Sequence, residues 1–336
     1  MTSFAIFKLP FNLLDKFLVI QTSFIGDVIL ATAMIESLHA ERPESSLDIL
    51  VRKGNESLFT GHPYINEVLV WDKKVNRNVN LWQLIKRVRK AKYSGVFNAH
   101  RFASSGLITW LSGSKIKSGF KKNPISFSFT HTFEHEFDGK HETERNHQLL
   151  SPLFYEAKVK KPRLYPSSGD YEKVKEFGKG SYRCMAPTSV WFTKQWPKHK
   201  WIELCNSLQQ DEFIYLLGAH SDCLICDEIS AATVHSNVKN LAGKLSLLQS
   251  AALMEGAIEN YVNDSAPMHL ASAVNAPTTA IFCSTIPQFG FDPLSENSKI
   301  IETKKTLDCR PCGLHGYSQC PKGHFNCSEI DISDLA

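Results

Sequence analysis

The sequence predicts an α/β protein of two parallel-sheet domains that face each other across a cleft. Three observations carry this. The chain has 336 residues, enough for two domains at ~150 residues each. Short apolar runs alternate with longer amphipathic segments, the pattern of βαβ units. A stretch rich in Lys, Pro, Ser and Gly over 158–182 interrupts the alternation, which then restarts.

In order, FLVIQ (17–21) reads as a buried strand and 27–41 as a helix with Val28, Ile29, Ala31, Ile35 and Leu38 on its apolar side. LDILV (47–51) and EVLVW (67–71) read as strands. Residues 80–92 form a helix with a basic face of Lys86, Arg87, Arg89 and Lys90. GVFNA (95–99) is a strand, and 141–157 has helical character. After the break, strands are expected at 182–187, 212–218, 238–243, 257–263 and 278–284. Helices fall between them at 198–210, 221–233, 246–255 and 265–274. No sequence repeat relates the halves. Ligands of such sheets sit at the carboxyl ends of the strands.

Composition narrows the class. Hydrophobic residues make up 43% and charged residues 21%, the balance of a soluble globular chain, which excludes long disorder, collagen and small disulfide scaffolds. The net charge of +4, from 38 Lys+Arg and 34 Asp+Glu, is too mild for a nucleic-acid binder. It suits anionic ligands or an anionic membrane surface. No apolar run reaches the ~18 residues of a membrane span. The apolar N-terminus is broken by Lys8, Pro10, Asp15 and Lys16 and lacks a small-residue cleavage site, so no signal peptide is expected. Nine cysteines without a signal imply reduced thiols and a cytoplasmic location.

Three segments carry chemistry. In QTSFIGDVILATAMIESL (21–38), Gly26 reads as a tight turn and Asp27 as the opening of a helix. A carboxylate there caps the helix, the commoner role for a lone Asp, or stands at the cleft to take a proton from a hydroxyl. In MAPTSVWFTKQWPKHKW (185–201), Thr188, Ser189 and Lys194 follow a strand, a donor set suited to a phosphate or diphosphate. In YVNDSAPMHLASA (261–273), a strand ends at Asp264-Ser265 and a helix begins at Ala266-Pro267. Its free N–H groups make an anion site, with His269 about one turn on. The glycine-rich fingerprint of dinucleotide enzymes is missing, which disfavours an oxidoreductase.

Taken together, FIGDVILAT, the TS…K.WP segment, NDSAPMHLASA and FCSTIPQFGFDP resemble glycosyltransferase family 9, the ADP-heptose:lipopolysaccharide heptosyltransferases, over roughly 17–330. The resemblance implies a GT-B architecture of two Rossmann-like domains. The acceptor would bind to residues 1–165 and the nucleotide sugar to 183–336, with a linker at 166–182. It implies inverting heptose transfer from ADP-heptose to a lipid-linked inner-core acceptor (lipid A–Kdo or a heptosyl residue), without cofactor or obligatory metal. Peripheral contact with the inner membrane follows from such an acceptor. By motif position, Asp27 is the expected base and Lys194 the partner of the departing diphosphate. Thr188, Ser189, Asp264, Ser265, Ala266 and His269 bind the diphosphate, Asp222 the ribose, and Leu245 the adenine side. Ser23 and Arg145, the latter in HETER (141–145), are expected on the acceptor. The chain departs from the family pattern at Gln21, at Ala266, and at Glu259 and Asn260. Another nucleotide-sugar donor, or a binding protein without turnover, stays open as an alternative.

Two features are less specific. Cys309, Cys312, Cys320 and Cys327, with His315 and His324 among them, offer zinc-ligand chemistry, although the second pair lacks knuckle spacing; reduced structural cysteines are the other reading. The arm from Phe4 to Leu14 reads equally as an interfacial anchor or as packing.

Overall fold

A computed structural model describes residues 15–154 and 157–335; the N-terminal arm at 1–14 lies outside the described residues. The first unit runs β1 (Lys16–Ile20), α1 (Ile25–Glu41), β2 (Ser46–Arg52), β3 (Ile65–Trp71) and α2 (Arg77–Ala91). It continues with β4 (Gly95–Asn98), α3 (Ala103–Leu111), β5 (Ile116–Phe120), β6 (His131–Phe133) and α4 (Glu142–His147). The second unit begins with α5 (Ser168–Val174), β7 (Tyr182–Ala186), α6 (Lys198–Ser207), β8 (Phe213–Leu216) and α7 (Cys223–Ala232). Then come β9 (Val238–Asn240), α8 (Leu247–Glu255), β10 (Glu259–Asn263), α9 (Ala266–Ala273), β11 (Thr278–Phe282) and β12 (Ser298–Glu302).

Each sheet is parallel and six-stranded, in the orders β3-β2-β1-β4-β5-β6 and β12-β11-β10-β7-β8-β9. Numbered within its own unit, each has the same doubly wound order. The switch points lie between β1 and β4 and between β7 and β10, where such sheets bind ligands. The two units therefore share a topology that their sequences do not display.

Burial explains the helix patterns. Ten residues of α1, including Val28, Ile29, Met34 and Ile35, are buried, because α1 packs both on its own sheet and on α9. Burying each large aliphatic side chain contributes about 1.5–3 kcal/mol. By contrast α2 buries only Leu84, Ile85 and Val88. Together with Ile108 of α3 they cover Leu18, Ile20, Leu50 and Leu69, on the sheet face away from α1. The cations of α2 point outward.

Several expectations change. The helix expected at 27–41 starts at Ile25, and the one at 80–92 starts at Arg77. The helical stretch at 141–157 shortens to α4 plus one 3-10 turn, Gln148–Leu150. The sequence reading passed over α3, β5, β6 and β12. Strand β6 has three residues at a sheet edge, and β5, IKSGF, carries too little apolar alternation to stand out. Residues 157–167 carry the chain between units. Here the Arg163 N–H donates to Thr32 Oγ1 (2.9 Å), the Leu164 N–H to the Ala273 carbonyl (3.0 Å), and the Tyr165 hydroxyl to Glu36 Oε1 (2.9 Å).

Candidate active site

After β1 the chain stays extended through Phe24, which precedes α1 without a side-chain cap. Asp27 lies within the first turn rather than at the cap. Its Oδ2 turns back to accept from Ser23 Oγ at 2.8 Å. Burial, reinforced by the Glu142 charge, raises the Asp27 pKa above the usual carboxylate value, against the opposing pull of Ser23, Arg101 and His315. A raised pKa suits a general base, because the conjugate acid gains stability as the proton arrives. Glu142 is itself buried. Burial favours its neutral form, but His135 Nε2 at 3.0 Å and Arg145 Nε at 2.8 Å outweigh this and hold its pKa below the usual value.

Gly26 meets a different demand from the tight turn expected there. It is helical, and a Cβ on it would sit 2.9 Å from His269 Cδ2. The missing side chain lets the start of α1 lie directly against α9 of the other unit. His269 is buried there and its Nδ1 has no partner; burial pushes its pKa down to about 3, so the ring is neutral.

The second unit supplies the cation. Asn263, at the end of β10, accepts from the Trp196 N–H (2.9 Å) and donates to the Ala186 carbonyl (3.3 Å). These bonds fix the loop between β7 and α6. Lys194 on that loop pairs with Asp264 at 2.7 Å, and Asp264 Oδ2 also accepts from Thr285 Oγ1 at 2.6 Å. Then α9 begins at Ala266 with Pro267 in its first turn and an extended Ser265 before it. The Ser265 and Ala266 N–H groups therefore face outward, as orphan donors do at a helix start. The backbone of Ala266 is outside the left-handed region, so its methyl imposes no strain.

These groups meet in one cavity of about 190 Å³. The first unit contributes Gly26 and Asp27; the second contributes Ser189, Lys194, Asp264, Ser265, Ala266 and His269; the C-terminal segment adds His315. The volume is below the ~300–1,000 Å³ of whole-ligand pockets. It fits a reacting junction, with the rest of each substrate in the open cleft. Thr188 adjoins Ser189 outside this lining. Asp222 follows β8, accepting from the Ala219 N–H at 2.7 Å, and Leu245 follows β9, half-buried against the core. Neither lines the cavity; each follows the carboxyl end of a strand of the second sheet.

Ser23 lines a second hollow in the first unit, with Arg52, Lys73, Arg77, His100 and Phe102. Burial and the nearby Arg52 and Arg77 charges pull the Lys73 pKa down to about 8. Its ammonium donates to the Thr22 carbonyl at 2.7 Å.

One expectation is corrected. Arg145 is 2% exposed. Its guanidinium donates to Glu142, to the Lys140 carbonyl and, at 2.7 Å, to the Phe289 carbonyl of the other unit. It is a seam residue, without the exposure a direct acceptor contact requires. Cys309, Cys312, Cys320 and Cys327 form no disulfide, and among the described residues no group of three or more His, Cys, Asp or Glu side chains is arranged to hold a metal ion. The unusual polar residues have structural partners. Gln21 Oε1 accepts from the Ser23 N–H at 3.2 Å, and Asn260 Nδ2 donates to the Met254 and Pro277 carbonyls at 3.0 and 2.8 Å. The sequence offers no signal for Arg101, Glu142 or the Arg52, Lys73 and Arg77 cluster, and it marks His315 only as a neighbour of the C-terminal cysteines. No spacing rule joins residues whose proximity comes from strand order.

Two doubly wound domains opposed across a cleft make a GT-B fold. The chain belongs to glycosyltransferase family 9 (heptosyltransferase), whose profile matches residues 81–316. It is 29% identical over 279 residues to lipopolysaccharide heptosyltransferase 3 of Escherichia coli, covering 78% of this chain and 82% of that one. Its fold matches E. coli ADP-heptose lps heptosyltransferase II with a TM-score of 0.76 at 21% identity, over 88% of this chain and 95% of that one. It also matches E. coli heptosyltransferase WaaC with ADP, at TM-score 0.70 and 19% identity, over 85% of this chain and 92% of that one. Among the described residues no helix is long and apolar enough to cross a membrane.

Proposed function

We propose that this glycosyltransferase moves a heptose from ADP-heptose to an anionic, lipid-linked inner-core saccharide, with inversion at the anomeric carbon. The observation that supports this reading best is the single cavity in which Asp27 of one unit faces Lys194 and the start of α9 of the other. Asp27 takes the proton of the acceptor hydroxyl as its oxygen attacks the anomeric carbon. The bond from that carbon to the diphosphate oxygen breaks, and its electron pair leaves with ADP. Lys194 and the Ser265 and Ala266 N–H groups stabilise the departing charge. Base and leaving-group donors come from opposite walls, the arrangement an in-line displacement needs.

The donor identity draws on the relatives, whose names include ADP-heptose and ADP. Residues 1–165 would then hold the acceptor and 183–336 the nucleotide sugar. The basic hollow of Arg52, Lys73 and Arg77 is the acceptor's anion site, and Asp222 and Leu245 lie along the nucleoside path. Work on a lipid-linked acceptor places the enzyme at the cytoplasmic face of the inner membrane, for which the outer face of α2 is suited. That helix carries Arg77, Lys86, Arg87, Arg89 and Lys90 without a carboxylate, and exposes Val79 and Trp82.

Thermal unfolding with ADP, UDP, GDP and CMP tests the donor. At 100-fold over its dissociation constant the correct nucleotide adds about 2.7 kcal/mol, and ADP alone is expected to do so. Asp27→Ala is expected to lower transfer about 10²–10⁴-fold while keeping the ADP shift. Loss of that shift would reassign Asp27 to donor binding or folding.

A further inference from the structure

The C-terminal cysteine-rich segment reaches the cavity between the units. Residues 310–317 lie against the Lys194 loop and are held at both ends. Arg310 donates to the Cys283 carbonyl (2.7 Å), the Thr285 carbonyl (2.7 Å) and Glu302 (2.8 Å). The Cys312 N–H donates to the Ser284 carbonyl at 2.8 Å. At the far end the Thr193 N–H donates to the Tyr317 carbonyl (3.1 Å), and the Tyr317 N–H donates to Thr193 Oγ1 (2.8 Å).

Gly316 makes the close approach possible. Its φ is +75°, and a Cβ there would lie 2.8 Å from Thr193 Oγ1 and 3.1 Å from Lys194 Cγ. Only glycine adopts that backbone at that distance without strain. The neighbouring His315 thereby projects into the cavity shared by Asp27, Lys194 and Asp264. Its ring has no hydrogen-bond partner among the described residues.

Part of the cavity's donor set is already committed. Lys194 is already tied to Asp264, and Pro267 removes one N–H from the first turn of α9. We propose that His315 is a further catalytic residue, touching the donor and giving an imidazole N–H hydrogen bond to the diphosphate oxygen that leaves the anomeric carbon. This rests on the transferase reading above. The acceptor proton still goes to Asp27 and the electron pair of the broken bond to ADP; His315 keeps its proton. Burial, helped by the Lys194 charge, lowers its pKa, so the ring is neutral near pH 7 and donates through one nitrogen. The cysteine-rich segment then has a function of its own, as the strap that carries this ring.

The test compares wild type with His315→Ala, His315→Asn and His315→Gln, measuring kcat, both KM values, ADP affinity and Tm. His315→Ala is expected to lower kcat about 10–100-fold with Tm and acceptor KM unchanged. The amide variant that places its N–H at the same spot is expected to recover most of the loss. A kcat within twofold of wild type in His315→Ala would overturn the assignment. So would an equal loss in all three variants accompanied by a fall in Tm, because that pattern marks a structural role. If wild type transfers nothing from ADP-heptose, the reaction itself is misread; the assignment then stands only if His315→Ala weakens ADP binding severalfold.

Discussion

If the basic hollow holds the acceptor as proposed, Lys73 sets a pH condition on the reaction. Half-buried beside Arg52 and Arg77, its pKa falls to about 8, far below the ~10.4 of a free lysine. The protonated form is the one that binds an anion, and it is fully present below pH 7. It is lost as pH rises through 8, well before an ordinary lysine would titrate. The acceptor KM is therefore expected to climb severalfold between pH 7 and 9, while donor KM stays flat. Lys73→Arg should remove the step, since arginine keeps its charge throughout. A KM that is flat in the wild type would detach Lys73 from acceptor binding. Asp27 presents the opposite case: burial leaves its carboxyl above the usual value, and that carboxyl is the one placed to accept a proton.

Between elements, the contact that matters most joins α1 to α9. Gly26→Ala would press a methyl against the His269 ring at 2.9 Å and push the two helix starts apart. Displacing reacting groups by about 1 Å costs up to ~10²-fold in rate. We expect kcat to fall by at least tenfold with ADP affinity within threefold of wild type. Unchanged kcat would mean that the helices part elsewhere without cost. This pair also marks what a sequence yields. The strands β1, β2, β7, β8 and β10 were legible because buried parallel strands are continuous apolar runs. Asp27, Lys194, Asp264, Ser265, Ala266 and His269 were legible because each sits where a strand gives way to a loop or helix. The real reason for Gly26 was not legible, because it depends on a ring from the other domain. Arg145 was misread for a similar cause: its partners include the Phe289 carbonyl, supplied by the other unit.

For the whole molecule, charge is distributed unevenly. The sum is only +4, yet α2 has five cations and no anion on the outer layer of the first unit. Arg77, at the start of that helix, also lines the basic hollow, so one surface continues into the hollow proposed for the acceptor. Vesicles containing anionic lipid are expected to retain the protein at low salt and release it by about 0.5 M salt, as screening shortens the reach of charge. Lys86→Glu with Arg89→Glu should weaken retention at least tenfold and leave the ADP thermal shift intact. Equal binding to neutral vesicles would assign retention to apolar contact alone.

The seam at Arg145 has a kinematic consequence. The two units are joined by the chain at 157–167, along the α1–α9 contact, and again beside the cavity. There the Glu142 N–H donates to the Gly290 carbonyl at 2.7 Å, and His141 Nε2 bonds the Asp292 carbonyl at 3.1 Å. A body fastened to another along one strip keeps one easy rotation, about that strip. Sliding and twisting are suppressed, so any opening of the cleft is a rocking motion. Phe289 and Phe291, next to the last fastening, line the reaction cavity, which therefore lies near the pivot. The spacing of Asp27 and Lys194 changes least in such a motion, while the outer ends of the cleft, where bulky substrates enter, swing widest.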